Sequence, residues 1–337
     1  MIRLAWRQFR TEASIGVGAL VVVAVVLAVT GPHLIAVYRT APNQLSSTDH
    51  GLQVAVPVLL LLTPALVGLF FGAPVVAREL ETGTYRLAWT QSVTRLRWMV
   101  VKFALLGLAG SVLAGGLSLM AAWWANPIDI TNQNRFTPSL FGILGIVPFG
   151  YGLFAFALGA TTGLVFRKTL PAMATTLVGF TGTRLAVTYW ARPHFEAPLR
   201  LSEPLGPGMG FGFFSTSSGL SVTVGPPSIA NAWPLTAEIV DKAGSAPTSA
   251  FLSKVCPGLA GPNQPIGRIA GGAHTRPVAG GSMHSCIANL ASKFHAVITY
   301  QPASRYWPFQ IYETALFVLL ALALAGLSLW WVRRRLT

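Results

Sequence analysis

Charged residues are scarce in this chain. They make up 10% of its 337 residues, whereas soluble domains average about 25%. Because 53% of the residues are hydrophobic, most of the chain cannot face water, which excludes a soluble globular protein. Acidic residues are the scarcest, with 10 Asp and Glu against 24 Lys and Arg. This excess is a weak sign of a nucleic-acid partner, since the basic residues lie beside apolar runs rather than on a polar domain. We predict no nucleic-acid binding.

Motifs for catalysis and cofactor binding are also missing. The sequence has no GxxxxGK[ST] loop for ATP, no HExxH and no GxSxG. The spacing of His274, His284 and Cys286 fits no zinc pattern. Glu313 is the one acid near a membrane-embedded position, which argues against a proton-driven transporter and a membrane hydrolase. We predict no catalytic residue, no metal site and no cofactor on this chain.

Long apolar runs are what the sequence does contain. A helix needs about 20 apolar residues to cross the hydrocarbon of a membrane. Six runs qualify, near residues 15–37, 52–76, 99–125, 139–166, 170–190 and 308–332. The predicted fold class is an all-α polytopic membrane protein with six transmembrane helices and a small, irregular, β-containing extracytoplasmic domain between spans five and six. The fifth run is the least apolar because it holds Arg184 and several threonines.

The distribution of basic residues predicts the orientation. Thirteen lie on one side of the six spans, whereas the short loops of the other side hold only Arg39 and Arg135. Cytoplasmic loops are enriched in Lys and Arg, so we predict a protein of the cell membrane with both termini cytoplasmic. The thirteen residues are Arg3, Arg7, Arg10, Arg78, Arg86, Arg95, Arg97, Lys102, Arg167, Lys168, Arg333, Arg334 and Arg335.

Three regions follow from this topology. Residues 1–190 hold an N-terminal amphipathic helix and spans one to five, residues 191–305 form the extracytoplasmic domain, and residues 306–337 form span six and a basic tail. The N-terminal helix either lies on the inner leaflet with a mechanical role or only anchors the topology. The extracytoplasmic domain is rich in Pro and Gly, and its runs at 220–224 and 296–300 predict strands.

Cys256 and Cys286 are the only two cysteines, and both fall in the extracytoplasmic domain. A disulfide is the natural prediction for an oxidising compartment. Two buried free thiols are the alternative.

Polar and small residues interrupt the apolar runs. Thr63, Ser118, Thr162 and Thr176 are candidates for a substrate path, although such hydroxyls also bond to their own helix or to a neighbour. Rows of small residues at Gly107, Ser111 and Gly115, and at Gly159 and Gly163, predict close helix packing. This packing lies either inside one bundle or at a homodimer seam.

The segment 77–98, between spans two and three, is the most informative polar stretch. Glu79 and Glu81 are its only acids, and Gly83-Thr84 can end the helix that descends from span two. The segment predicts a compact cytoplasmic elbow of helical pieces. It is either a docking surface for another protein or a solvated loop whose arginines fix the topology.

This elbow resembles that of a known family. The run Arg78–Thr84, then Leu87, the run Gln91–Arg95 and then Lys102 resemble the cytoplasmic segment of ABC-transporter permeases of the exporter class. Many members have proline where this chain has Gln91. The Trp-Thr-Gln-Ser variant is similar to permeases of high-GC Gram-positive bacteria. The stretch from Tyr300 to Glu313 resembles the start of the last span in the same group.

The resemblance implies a half-transporter. Two permease chains, a homodimer in the simplest case, would pair in lipid with two ATPase subunits that hold ATP and Mg²⁺. The permease would export a hydrophobic or amphipathic compound by alternating access, without catalysis of its own. The residues that would couple it to the ATPase are Glu79, Glu81, Gly83, Thr84, Arg86, Leu87 and Arg95. The alternative function is a membrane-anchored sensor or assembly protein whose extracytoplasmic domain binds a ligand without transport.

Overall fold

The structure is a computed structural model, and it describes residues 18, 21–33, 36, 47–83, 95–132, 135–206, 209–216, 219–225, 229–256 and 280–335. The predicted N-terminal amphipathic helix lies outside these residues. The chain divides into two compact units. The first takes in the described residues up to Phe195 and from Tyr306 onward, and the second runs from Glu196 to Arg305.

The first unit is a helical bundle. Its helices are α1 (Val21–His33), α2 (Ser47–Leu66), α3 (Ala73–Thr82), α4 (Arg95–Asn132), α5 (Pro138–Phe141), α6 (Val147–Phe166), α7 (Thr169–Ala186) and, at the end of the chain, α10 (Tyr306–Arg335). A π-helical segment, Val67–Gly72, joins α2 to α3 without a break. A second, Val187–Ala191, extends α7 into a 3₁₀ turn at Arg192–His194.

Four stretches among the described residues are long and apolar enough to cross a membrane. They are Val54–Glu81, Met99–Trp124, Val147–Phe166 and Ala303–Arg334. These match predicted spans two, three, four and six, which confirms a mostly helical membrane protein. In the first predicted span, the described residues form the shorter apolar helix α1. The fifth is the helix α7, which is not among the four.

Helix α6 is the centre of the bundle. Nearly three-quarters of its apolar stretch is buried, a larger share than in the other three. It packs against α3, α4, α7, α10 and the Val67–Gly72 segment. Glycine makes this packing close: a Cβ at Gly163 would lie 2.6 Å from the carbonyl oxygen of Ala73, and one at Gly72 would lie 2.6 Å from that of Phe156. The predicted Gly159–Gly163 row therefore packs within one chain.

The row Gly107, Ser111 and Gly115 on α4 faces the same central helix. Gly107 lies against the ring of Phe156, and Gly115 lies against that of Phe149. The Ser111 hydroxyl donates a hydrogen bond to the Phe149 carbonyl at 2.7 Å. Small residues thus bring α4 and α6 together inside the bundle.

Predicted span four begins later than residue 139. The short helix α5 ends at Phe141, and residues 142–146 are irregular before α6 begins at Val147. Gly145 has φ +91°, a conformation that favours glycine and that interrupts a helix. Most of this irregular segment, which we call the buried loop (residues 142–146), is shielded from solvent.

The described residues of the second unit form two small sheets and two helices. Strands β1 (Leu199–Pro204), β4 (Trp233–Asp241) and β5 (Phe294–Gln301) form an antiparallel sheet in the order β1-β5-β4. Strands β2 (Phe211–Thr216) and β3 (Gly219–Val224) form an antiparallel pair. The predicted strands at 220–224 and 296–300 are confirmed as parts of β3 and β5. Helices α8 (Ser249–Val255) and α9 (Gly280–Ala291) complete the unit.

A disulfide joins Cys256 to Cys286 inside the core of the second unit. It links the residue that follows α8 to α9, and both cysteines are buried. Arg305, the last residue of the unit, forms an ion pair at 2.6 Å with Glu196, the first. The amide of Gln301 donates to the Glu196 carbonyl at 2.9 Å. The first and last residues of the unit are therefore held side by side.

Candidate functional site

Glu79 lies on the last turns of α3, where the elbow leaves the bundle. Its carboxylate forms an ion pair at 2.6 Å with the ammonium group of Lys102 on α4. Lys102 is only 4% exposed and also donates to the Val75 carbonyl at 3.3 Å. A buried ammonium group requires a counter-charge, and Glu79 supplies it. This contact fixes the end of α3 to the beginning of α4.

Glu81 makes a second connection from the same helix. Its carboxylate accepts hydrogen bonds from the backbone N–H of Thr169 at 3.2 Å and from the Thr169 hydroxyl at 2.8 Å. Thr169 is the first residue of α7. The first N–H groups of a helix have no partner within it, and the helix dipole favours an anion there. Glu81 therefore caps α7 from a distance of 88 positions along the chain.

Gly83 ends α3 in the left-handed conformation, with φ 74°. This C-cap is the helix end that Gly83-Thr84 predicts. Thr84, Arg86 and Leu87 lie outside the described residues, and Arg95 begins α4. The described part of the elbow thus turns both of its carboxylates toward neighbouring helices of the bundle.

The four hydroxyl residues predicted for a substrate path are all buried. Thr63 bonds to the Leu59 carbonyl of its own helix, and Ser118 donates to two carbonyls of the buried loop. The hydroxyls of Thr162 and Thr176 lie 2.8 Å apart and join α6 to α7. In this conformation the hydroxyls are used inside the bundle, and their contact with a substrate stays a prediction.

A buried ion pair that the sequence did not reveal lies in the bundle. The guanidinium of Arg192 forms two hydrogen bonds with the Glu313 carboxylate, at 2.7 and 2.8 Å. The Tyr151 hydroxyl donates to the same carboxylate. All three side chains have no exposed surface. The pair and Tyr151 thus form a buried polar connection between α6, α10 and the turn after α7.

Gln310, one turn before Glu313 on α10, holds the buried loop. Its amide oxygen accepts from the backbone N–H groups of Ile146 and Val147, at 3.0 and 3.1 Å. Its amide nitrogen donates to the carbonyls of Phe141 and Leu144, both at 3.0 Å. Irregular backbone cannot be buried without such partners. One side chain therefore satisfies four backbone groups.

The sequence held one indication of these buried contacts, namely two polar residues within an apolar run. Gln310 and Glu313 lie in predicted span six, where an amide or a carboxylate requires a partner. Their partners could not be found, because Arg192 falls in the segment predicted to be extracytoplasmic and Tyr151 is one aromatic among many. The structure brings Arg192 close by keeping residues up to Phe195 in the first unit.

The contacts at these sites are ion pairs and hydrogen bonds that join helices of the bundle. Among the described residues, no group of His, Cys, Asp and Glu side chains could hold a metal ion. The buried carboxylate of Glu313 is engaged by Arg192 and Tyr151.

Residues 17–192, just over half of the chain, match the sequence model of a protein family described as ABC-2 membrane transporter related. Neither the curated proteins nor the solved structures include a significant match. The matched stretch includes the described helices α1 to α7, and with them Glu79, Lys102, Glu81 and Thr169. It excludes the second unit and α10.

Proposed function

The chain belongs to the ABC-2 membrane transporter related family, and we propose that it is the membrane-spanning permease subunit of an ATP-driven exporter. Such subunits are generally non-catalytic. In this proposal a separate ATPase subunit binds ATP and Mg²⁺, and this chain moves a hydrophobic or amphipathic compound outward by alternating access. A second copy of the chain completes the pathway through the membrane.

The proposal includes six spans with both termini in the cytoplasm. To the four apolar stretches it adds α1 as part of the first span, and α7 with its π-helical extension as the fifth. Exposed aromatic side chains support the boundaries, because such rings prefer the membrane interface. Trp123, Trp190 and Trp307 are more than half exposed at the ends assigned to the outside. Trp330, which stacks with Arg334, lies at the end assigned to the inside.

The double attachment of α3 is the observation that carries the proposal. The elbow leaves the bundle at Gly83 and returns at Arg95. Just before it leaves, Glu79 binds α4 and Glu81 binds α7. A movement of the elbow would therefore pull on three helices at once. Such an attachment suits a coupling element.

This geometry divides the predicted coupling residues into two roles. Glu79, Glu81 and Gly83 connect the elbow to the bundle, since their described contacts are with the protein's own helices. Thr84, Arg86, Leu87 and Arg95 are proposed to contact the ATPase. Loss of a connecting residue should then lower substrate-stimulated ATP hydrolysis, while the ATPase stays bound to the permease.

Matched threonine variants test this role. Thr169→Val removes the hydroxyl that Glu81 accepts from, whereas Thr175→Val removes a hydroxyl on the same helix that bonds only to the Pro171 carbonyl. We expect the Thr169→Val and Glu81→Ala proteins to co-purify with the ATPase at normal yield. Their substrate-stimulated ATP hydrolysis should fall several-fold, and Thr175→Val should behave as the wild type.

Two results would contradict this proposal in different ways. If Glu81→Ala abolishes co-purification, the carboxylate contacts the ATPase directly rather than connecting helices. If no ATPase co-purifies with the wild-type chain under any condition, the chain is not a permease subunit, and the sensor or assembly function takes its place.

A further inference from the structure

Arg184 is a cation within the bundle that forms no ion pair with any acidic side chain that the structure describes. It lies in the last turn of α7, and its guanidinium donates to the carbonyls of Leu61 at 2.9 Å and Gly142 at 3.2 Å. The same group stacks on the Tyr151 ring, 4.6 Å from its centroid. Among the described residues, no carboxylate forms an ion pair with it.

The nearby carboxylate cannot neutralise this charge. Glu313 binds Arg192 through both of its oxygens and also accepts from the Tyr151 hydroxyl. Arg184 contacts the face of the same tyrosine ring rather than the carboxylate. The cluster of Arg184, Arg192 and Glu313 therefore carries a net charge of +1 at neutral pH. A low-dielectric environment makes such an excess unfavourable and attracts an anion.

Arg184 is also accessible, unlike Arg192. Its side chain is partly exposed, whereas Arg192 has no exposed surface. Leu177 and Thr181 precede it by seven and three positions, so they share its face of the helix. Both are exposed, Leu177 by 43%, so the side of α7 that leads to Arg184 is uncovered in the chain. This side of α7 therefore offers apolar contact at Leu177 and a positive charge at Arg184.

We infer that Arg184 is a binding site for the anionic head group of an amphiphile whose hydrocarbon chain lies along α7. An arginine has five N–H donors in a planar fork, and the two carbonyls take only part of that capacity. Phosphate and carboxylate groups match the remaining geometry. A neutral amphiphile would gain the apolar contact but leave the charge uncompensated.

The head group has two potential sources with the same chemistry. It belongs either to the exported compound or to an anionic lipid that stays bound. Its assignment as cargo rests on the proposed transport function, whereas the binding site itself does not. Binding and transport are therefore measured separately.

Titration of the purified full-length chain in dodecyl maltoside with dodecyl phosphate tests the site, with dodecylglycerol as the neutral probe of equal chain length. We expect the wild type to bind the phosphate about tenfold more tightly, as for a charge-assisted contact. Arg184→Gln should remove this preference, and Arg184→Lys should keep part of it. Arg334→Gln, at another arginine that contacts an aromatic ring, is the control and should change nothing.

Equal affinity of the wild type for the two probes would overturn the inference without any variant, so it can be tested even if Arg184→Gln fails to fold. Loss of the preference in Arg334→Gln as well would overturn it too, because the effect would then be general charge attraction. If the phosphate probe crosses the membrane of vesicles that contain the ATPase complex, and does so only with ATP, the head group belongs to the exported compound. Binding without movement identifies a bound lipid and leaves the site in place.

Discussion

At the level of single residues, the ion pair between Arg192 and Glu313 connects the turn after α7 to α10 inside the bundle. Both groups are fully buried and are joined by two hydrogen bonds. Removal of one partner leaves a buried charge without compensation, and this typically costs about 3–5 kcal/mol. Replacement of both partners by uncharged groups of similar volume costs much less.

A double-mutant cycle at this pair should show that asymmetry. We expect Glu313→Gln to destabilise the protein by about 3–5 kcal/mol, and the double variant with Arg192→Met to recover much of the loss. The measurement is thermal unfolding of the purified chain in detergent. Glu196→Gln makes the same change at a partly exposed pair in the second unit, and it should cost no more than about 1 kcal/mol. A similar loss at both glutamates would contradict the special role of the buried pair.

Helix packing at the element scale depends on glycine at α6. The Val67–Gly72 segment and α3 approach α6 so closely that backbone atoms meet backbone atoms. A π-helical turn inserts one residue into the helix, and such turns often occur at functional sites. Here the turn contributes Gly68 and Gly72 to the contact with α6. The attachment of span two to the central helix therefore includes direct backbone contact as well as the packing of buried side chains.

Alanine substitutions at two glycines separate the effect of close packing on stability from the effect of helix propensity. A Cβ at Gly159 would lie 2.6 Å from the backbone nitrogen of Ala73, whereas a Cβ at Gly326 on α10 meets nothing within 4 Å. Alanine favours a helix by about 1 kcal/mol over glycine. We expect Gly326→Ala to be neutral or stabilising and Gly159→Ala to destabilise by about 1–3 kcal/mol. Equal melting temperatures would show that α6 is not the tightly packed centre.

The proposed six-span topology assigns each part of the molecule to one side of the membrane. In the proposed arrangement, the turn between α6 and α7 is cytoplasmic and the second unit is extracytoplasmic. Arg167 and Lys254 are exposed positions in these two places. The native cysteines are joined in a disulfide, so a single introduced cysteine would be the only free thiol in the chain.

Labelling of intact cells with a membrane-impermeant maleimide distinguishes the two sides. Lys254→Cys should react in intact cells, whereas Arg167→Cys should react only after the membrane is permeabilised. A detergent-solubilised sample, in which both positions react, is the control for accessibility. Reaction of both positions in intact cells would contradict the six-span arrangement, and the proposed coupling role of the elbow would be lost with it.

The local features of this protein could be predicted from its amino-acid sequence. Four apolar stretches, the strands at 220–224 and 296–300 and the helix end at Gly83 all follow from residues that are neighbours in the chain. Hydropathy, β propensity and the left-handed conformation of a glycine are local properties, so a pattern of a few residues is sufficient to predict them.

The pairing of distant polar groups, in contrast, became visible only in the folded chain. Arg192 and Glu313 are 121 positions apart, and Gln310 is 164 positions from Ile146. Nothing in the residues around Glu81 indicated that its carboxylate caps α7, and nothing around Arg184 indicated that it forms no ion pair with any acidic side chain that the structure describes. Such pairs depend on the path of the whole chain, because burial forces each polar group to find whichever partner the packing of distant helices brings within reach.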